Sequence, residues 1–233
     1  MNITSTPNLA DSRFAGILYL LIAIFSGFSM GYLPNVIIAT GDATTTAQNL
    51  TTHSGIFRIG FVADMLVILL EIILTVILYK MFKKVNPTLA LMALLSRFSM
   101  AIIMGINLLN YLIPMLLLNS PTYLEVFQPE QLQSLALLFL EAHQFAVLIW
   151  GLFFGFHLAL LGYLVFKSGF YPKLLGILLI IGSFGYTTES MGKFTLPENE
   201  IISMIAMALL GFAVIGELSF AFWLLIKGGK RVG

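Results

Sequence analysis

Apolar residues gather into six long runs, Phe14–Ile38, Phe57–Phe82, Leu89–Leu118, Leu135–Phe166, Leu174–Gly192 and Ile201–Ile226, each separated from the next by a polar stretch. About 20 helical residues cross a hydrocarbon layer of about 30 Å, and every run is close to that length or longer. Helices are required rather than open strands, because lipid offers no partner to an unpaired backbone N–H or C=O. The polar breaks carry turn chemistry: Asn86-Pro87, Asn119-Ser120-Pro121, Ser168-Gly169 with Pro172, and Pro197. None is long enough for a second domain, so residues 1–233 read as one all-α integral membrane domain, a six-transmembrane-helix bundle.

Shorter patterns refine the outline. The connection from Thr40 to Gly55 is rich in Thr, Ala, Asn and Gln, and Asp42 stands where an N-cap belongs, which predicts a surface helix over Ala43–Thr52. Asn49-Leu50-Thr51 has the form of a glycosylation acceptor, relevant only in a eukaryotic secretory route. Pro129-Glu130-Gln131-Leu132 lengthens the fourth helix beyond what a bilayer needs, so its first turns should project or tilt. Pro114 should kink or end the third. Gly27 with Gly31, and Gly151 with Gly155, lie one turn apart and permit close backbone approach, within the chain or, through Gly151 and Gly155, in a homodimer.

Composition agrees with the pattern. The chain is 59% hydrophobic and 10% charged, against about 45–50% and about 25% in soluble domains. The absence of cysteine excludes a disulfide scaffold, a thiolate metal site and a cysteine nucleophile, and a net charge of +1 gives no reason to expect nucleic acid. Nine of the 12 basic residues (Arg13, Lys80, Lys83, Lys84, Lys167, Lys173, Lys227, Lys230 and Arg231) fall on one face of this topology. The other face holds Asp42, Glu125, Glu130, Glu198 and Glu200, with Arg58 and Lys193 as its basic members. Basic residues at span ends collect on the cytoplasmic side, so both the N-terminus and the C-terminus are expected in the cytoplasm and the protein in the cell (cytoplasmic) membrane. The first run exceeds a typical signal-peptide core of about 7–15 residues and should be retained.

Candidate chemistry lies with the charges inside the spans: Asp64, Glu71, Arg97, Glu141, Glu189 and Glu217. Each costs about 2.5–3.5 kcal/mol to insert even on the mildest scale, and each needs a partner or a wet cavity. Counting about 1.5 Å per residue from the basic face brings Glu71, Arg97, His157 and Glu217 to one level near the midplane. A second, outer level holds Asp64, Asn107, Asn110, Glu141, His143 and Glu189, near Tyr186, Thr187 and Thr188. One arginine cannot neutralise five carboxylates, so if all six residues face a dry interior some acids must carry a proton or face a cation, unless Asp64, Glu141 and Glu189 reach outer water; Arg97 with Glu71 or Glu217 is the expected ion pair.

The histidines limit cofactor chemistry. His143 and His157 share one helix, about 21 Å apart, and His53 lies in a loop, which argues against a bis-His haem. A mixed metal site of His143, Asp64 and Glu141 or Glu189 stays open. No phosphate-binding glycine loop, serine elbow or HExxH motif is present.

Several strings carry a family likeness: Arg13-Phe-Ala-Gly-Ile-Leu-Tyr19, Phe57-Arg-Ile-Gly-Phe-Val-Ala-Asp64, Asn107-Leu-Leu-Asn110, Gln131 through His143, Gly151-Leu-Phe-Phe-Gly-Phe-His157, Leu161-Gly-Tyr-Leu164, Ser168-Gly-Phe-Tyr-Pro172 and Gly216-Glu-Leu218. In order and spacing the chain resembles the bacterial multi-pass membrane family known as domain of unknown function 4386. The resemblance implies a prokaryotic cytoplasmic-membrane protein with one six-helix domain and supplies no activity. Tyr186 to Lys193 is more polar than the family pattern, which weakens a role for Glu189.

The expected function is an interior polar site that binds or passes a small polar solute, proton or cation. Its expected residues are Asp64, Glu71, Arg97, Asn107, Asn110, Glu141, His143, His157 and Glu217. The alternatives are a membrane-embedded, metal-assisted enzyme and a structural or sensory interaction protein whose buried charges only hold the packing. No inverted repeat relates the two halves, which argues against active transport.

Overall fold

The computed structural model describes residues 7–119 and 122–229, so Ser120-Pro121 of one expected break and the basic Lys230 and Arg231 lie outside the described residues. Among the described residues the membrane-length elements are all helical, and six are long and apolar enough to cross a bilayer: Leu9–Ile37, Ser54–Phe82, Pro87–Leu118, Pro129–Ser168, Lys173–Thr195 and Glu200–Ile226. Each coincides with one of the expected apolar runs. Most start a few residues earlier, because helical geometry continues into the polar flanks where water can satisfy the first amides.

In the first span, α1 (Leu9–Ser26) passes into a π-helical turn over Gly27–Tyr32 and then α2 (Leu33–Ile37). Pro34 has no N–H to offer the Met30 carbonyl, and the Leu33 amide reaches five residues back to Phe28. A Cβ built on Gly27 or Gly31 would meet nothing within 4 Å. These glycines therefore loosen the backbone locally and do not seat a neighbouring helix, which corrects the packing role expected for them.

The surface helix α3 covers Ala43–Thr52 as expected, with the Asp42 side chain accepting from the Thr45 amide at 2.9 Å. It is followed by α4 (Ser54–Phe82), α5 (Pro87–Asn107) and α6 (Leu109–Leu118). The third span is interrupted at Leu108, and the helix runs through Pro114 to Leu118. The interruption lies upstream of the Asn110 carbonyl, the one that the proline ring crowds. There the Tyr111 amide bonds Leu108 O at 3.0 Å, three residues back. The last three helices are α7 (Pro129–Ser168), α8 (Lys173–Thr195) and α9 (Glu200–Ile226). With 40 residues, α7 includes the expected extension from Pro129.

The chain forms two compact units. The first holds residues 7–22, 70–101 and 148–229. Its helices cross closely at glycines: a Cβ on Gly162 would lie 2.7 Å from the Gly176 carbonyl oxygen. Gly151 and Gly155 face Ser190, Tyr186, Ser183 and Thr187 of α8, so that small-residue face is filled within the chain. The second unit holds residues 23–69 and 102–147. Its core joins Leu33, Ile37, Leu50, Phe57, Tyr111 and Leu140, so α3 contributes Leu50 to it.

Candidate functional site

Each unit carries buried polar side chains of its own. In the first unit, Arg97 on α5 is 1% exposed and Glu71 on α4 is 4% exposed. Arg97 Nε donates to Glu71 Oε2 at 2.5 Å, which establishes the expected ion pair and selects Glu71 over Glu217 as its direct partner. A charge-assisted bond between two desolvated groups is the arrangement in which a buried pair offsets its desolvation cost best. The guanidinium also lies 5.1 Å from the Tyr19 ring and 5.5 Å from the Phe154 ring. Glu217, on α9, belongs to the same unit and is half-buried.

His157 on α7 completes this network. Its Nδ1 lies 2.9 Å from the Ala93 carbonyl oxygen, which can only accept, and its Nε2 lies 2.9 Å from Arg97 Nη1, which can only donate. The two partners together fix a neutral imidazole with the proton on Nδ1. Both ring nitrogens are thus engaged by the protein. Beside His157 is a cavity of about 10 Å³, the size of about one water molecule.

The second unit holds two polar groupings. Asp64 on α4 is 1% exposed; its Oδ1 accepts from the Ser29 hydroxyl, and its Oδ2 is buried with no hydrogen-bond partner among the described residues. Ser29 belongs to the π-helical turn, so the distorted backbone presents the one side chain that meets this carboxyl. In the other grouping, Asn107 Nδ2 donates to the His143 carbonyl at 3.0 Å, and Asn110 Nδ2 donates to Asn107 Oδ1 at 2.9 Å. His143 Nδ1 lies 3.4 Å from the Asn107 carbonyl oxygen, next to the interruption at Leu108. The Tyr111 and His143 rings stack with centroids 3.7 Å apart.

The expected inner level of Glu71, Arg97, His157 and Glu217 is therefore gathered in one unit. The expected outer level divides. Asn107, Asn110 and His143 bond to one another, Asp64 turns to Ser29, Glu141 is half-buried, and Glu189 belongs to the first unit. Among the described residues no three His, Asp or Glu side chains meet in a metal-holding arrangement, so the mixed site of His143, Asp64, Glu141 and Glu189 is not assembled. Ser29, Tyr19, Phe154 and Tyr111 were absent from the candidates. Ser29 was signalled by its position between two glycines and upstream of Pro34; the aromatic partners had no signal that separates them from ordinary packing residues.

Six membrane-length helices fit a multi-pass membrane protein. The family model described as Domain of unknown function (DUF4386) matches residues 14–228, and the chain belongs to that family. An uncharacterised protein of Archaeoglobus fulgidus is 46% identical over 79 residues, 34% of this chain and 44% of the relative, so the match spans less than half of that protein. No solved structure matches the chain.

Proposed function

We propose that this protein binds and releases a proton or a single small cation at Asp64, in the cytoplasmic membrane, with both ends of the chain on the cytoplasmic side and residues 1–233 acting as one membrane domain. The observation that carries the reading is Asp64 Oδ2, buried without a partner while Oδ1 is held by Ser29. A desolvated carboxyl oxygen with nothing to accept from is costly unless a proton or cation occupies it. The adjoining π-helical turn supports the reading, since such turns free backbone carbonyls and recur at functional sites.

A second role belongs to the Arg97 centre. Its ion pair and the fully engaged His157 support a lock on the packing of the first unit, with no chemistry of its own.

The test is thermal unfolding of the purified full chain, titrated with acid and separately with lithium, sodium and potassium chloride against choline chloride. Wild type should be stabilised by acid or by one of the metal cations, and Asp64→Asn should lose that response while remaining folded. An identical response in both proteins overturns the assignment to Asp64.

A further inference from the structure

The first unit brings four chain segments together at one end. Lys80 near the end of α4 pairs with Asp11 at the start of α1 at 3.3 Å. The Phe82 ring lies 5.7 Å from that of Tyr171, in the turn between α7 and α8. Gly228, just after α9, packs against Leu9. Around these contacts Arg13, Lys80, Lys83, Lys167, Lys173 and Lys227 are all exposed.

Little negative charge opposes them. Asp11 is already paired with Lys80, Glu71 is buried, Glu217 is half-buried within α9, and Glu189, Glu198 and Glu200 sit at the opposite ends of α8 and α9. Three of the lysines are held over aromatic rings: Lys83 5.9 Å from Tyr79, Lys167 5.8 Å from Tyr163, and Lys173 5.5 Å from Phe166. An ammonium set over a ring face at the border of an apolar surface keeps its N–H donors for an anion, because the ring holds it through its charge distribution and not through a hydrogen bond. Large apolar side chains are exposed directly beside the charges, Leu174 at 63% next to Lys173 and Ile226 at 63% next to Lys227.

We propose that this basic end of the first unit binds anionic phospholipid headgroups. The ammonium groups take the headgroup phosphates, while the exposed faces of α8 and α9 take the acyl chains. Charge bordering an apolar wall matches a lipid better than a free anion, which would meet the same lysines without using Leu174 or Ile226. The proposal is independent of Asp64.

The test compares association of spin-labelled phosphatidylglycerol and phosphatidylcholine with the full chain in nanodiscs of the two unlabelled lipids. Each lysine near an anionic surface contributes about a fivefold preference at most, before salt screening. Wild type should favour phosphatidylglycerol several-fold, less so as sodium chloride is added. The triple variant Lys167→Gln/Lys173→Gln/Lys227→Gln should lose most of that preference, and Arg58→Gln/Lys193→Gln, which removes charge elsewhere, should keep it. If the triple variant does not fold, Lys173→Gln alone should lower the preference by about fivefold or less. Equal association of the two lipids with wild type overturns the proposal, as does equal loss in both charge-removal variants. Displacement of phosphatidylglycerol by inorganic phosphate at matched ionic strength overturns it too, because the site would then be one for free anions.

Discussion

Separating the Arg97–Glu71 pair tests the lock directly. Arg97→Leu leaves the Glu71 carboxylate, 4% exposed, without its cation and deprives His157 Nε2 of its donor. Removing one partner of a buried pair typically costs about 3–5 kcal/mol, because the remaining charge stays desolvated and unpaired. Glu71→Leu should cost a similar amount by stranding a guanidinium that is 1% exposed. The double variant removes both charges and leaves chiefly the unpaired His157 nitrogen, worth about 1–3 kcal/mol. It should therefore be more stable than either single variant. Unfolding of the purified chain in mixed micelles at increasing denaturing-detergent fraction gives all four free energies. A double variant as unstable as the sum of its singles would refute the coupling, and with it the account of this centre as a mutually neutralised pair. A double variant that is folded and stable while the cells lose a phenotype would assign the pair a role beyond packing.

Further outcomes follow from local geometry. Gly162→Ala places a methyl 2.7 Å from the Gly176 carbonyl oxygen and 2.8 Å from Ile180 Cγ1, so α7 and α8 must separate; overpacking of this kind costs about 1–3 kcal/mol, read as a lowered unfolding midpoint. Asp42 is held below the usual carboxylate range by hydrogen bonds from the Thr45 hydroxyl and amide. Its folded value is the depressed one, so its support of α3 is complete above the ordinary aspartate value and is lost as pH falls below about 4. Amide exchange of α3, corrected for intrinsic rates, should accelerate over that acid window in wild type, start fast at all pH in Asp42→Ala, and lack the window in Asp42→Asn, whose side chain still caps. Asn107→Leu should leave the His143 carbonyl without its side-chain donor and Asn110 without its acceptor; loss of such buried bonds costs about 1–3 kcal/mol, and no destabilisation in the same unfolding assay would contradict the network.

Long-period features were the legible ones. The six spans, the surface helix behind Asp42 and the gathering of Glu71, Arg97 and His157 all follow from lengths, caps and depth counting, which depend on helix rise alone. Depth counting does not say which side chains Asp64 and Glu189 meet, because it assigns a height and not a direction. Asp64 meets Ser29 only because the π-helical turn rotates the first span at that point, and a turn of this kind shifts every later residue around the helix axis. Pro114 shows the same limit: the helix runs on through the proline to Leu118, and the interruption of the span falls upstream at Leu108, where the sequence carries no breaker.

What the amino-acid order determined by itself is the solvent this chain belongs in, the number of its crossings and the cost of each ionisable side chain within them. These depend on composition and on a helical repeat that lipid leaves no freedom to abandon. Only the tertiary structure decided which acids are satisfied. Glu71 and Asp64 are seven residues apart on one helix and equally buried, yet one holds a guanidinium and the other keeps an oxygen without a partner. The difference lies in what the neighbouring helices present to each: α5 places Arg97 beside Glu71, whereas the turn after α1 gives Asp64 a hydroxyl that can satisfy one oxygen and not both.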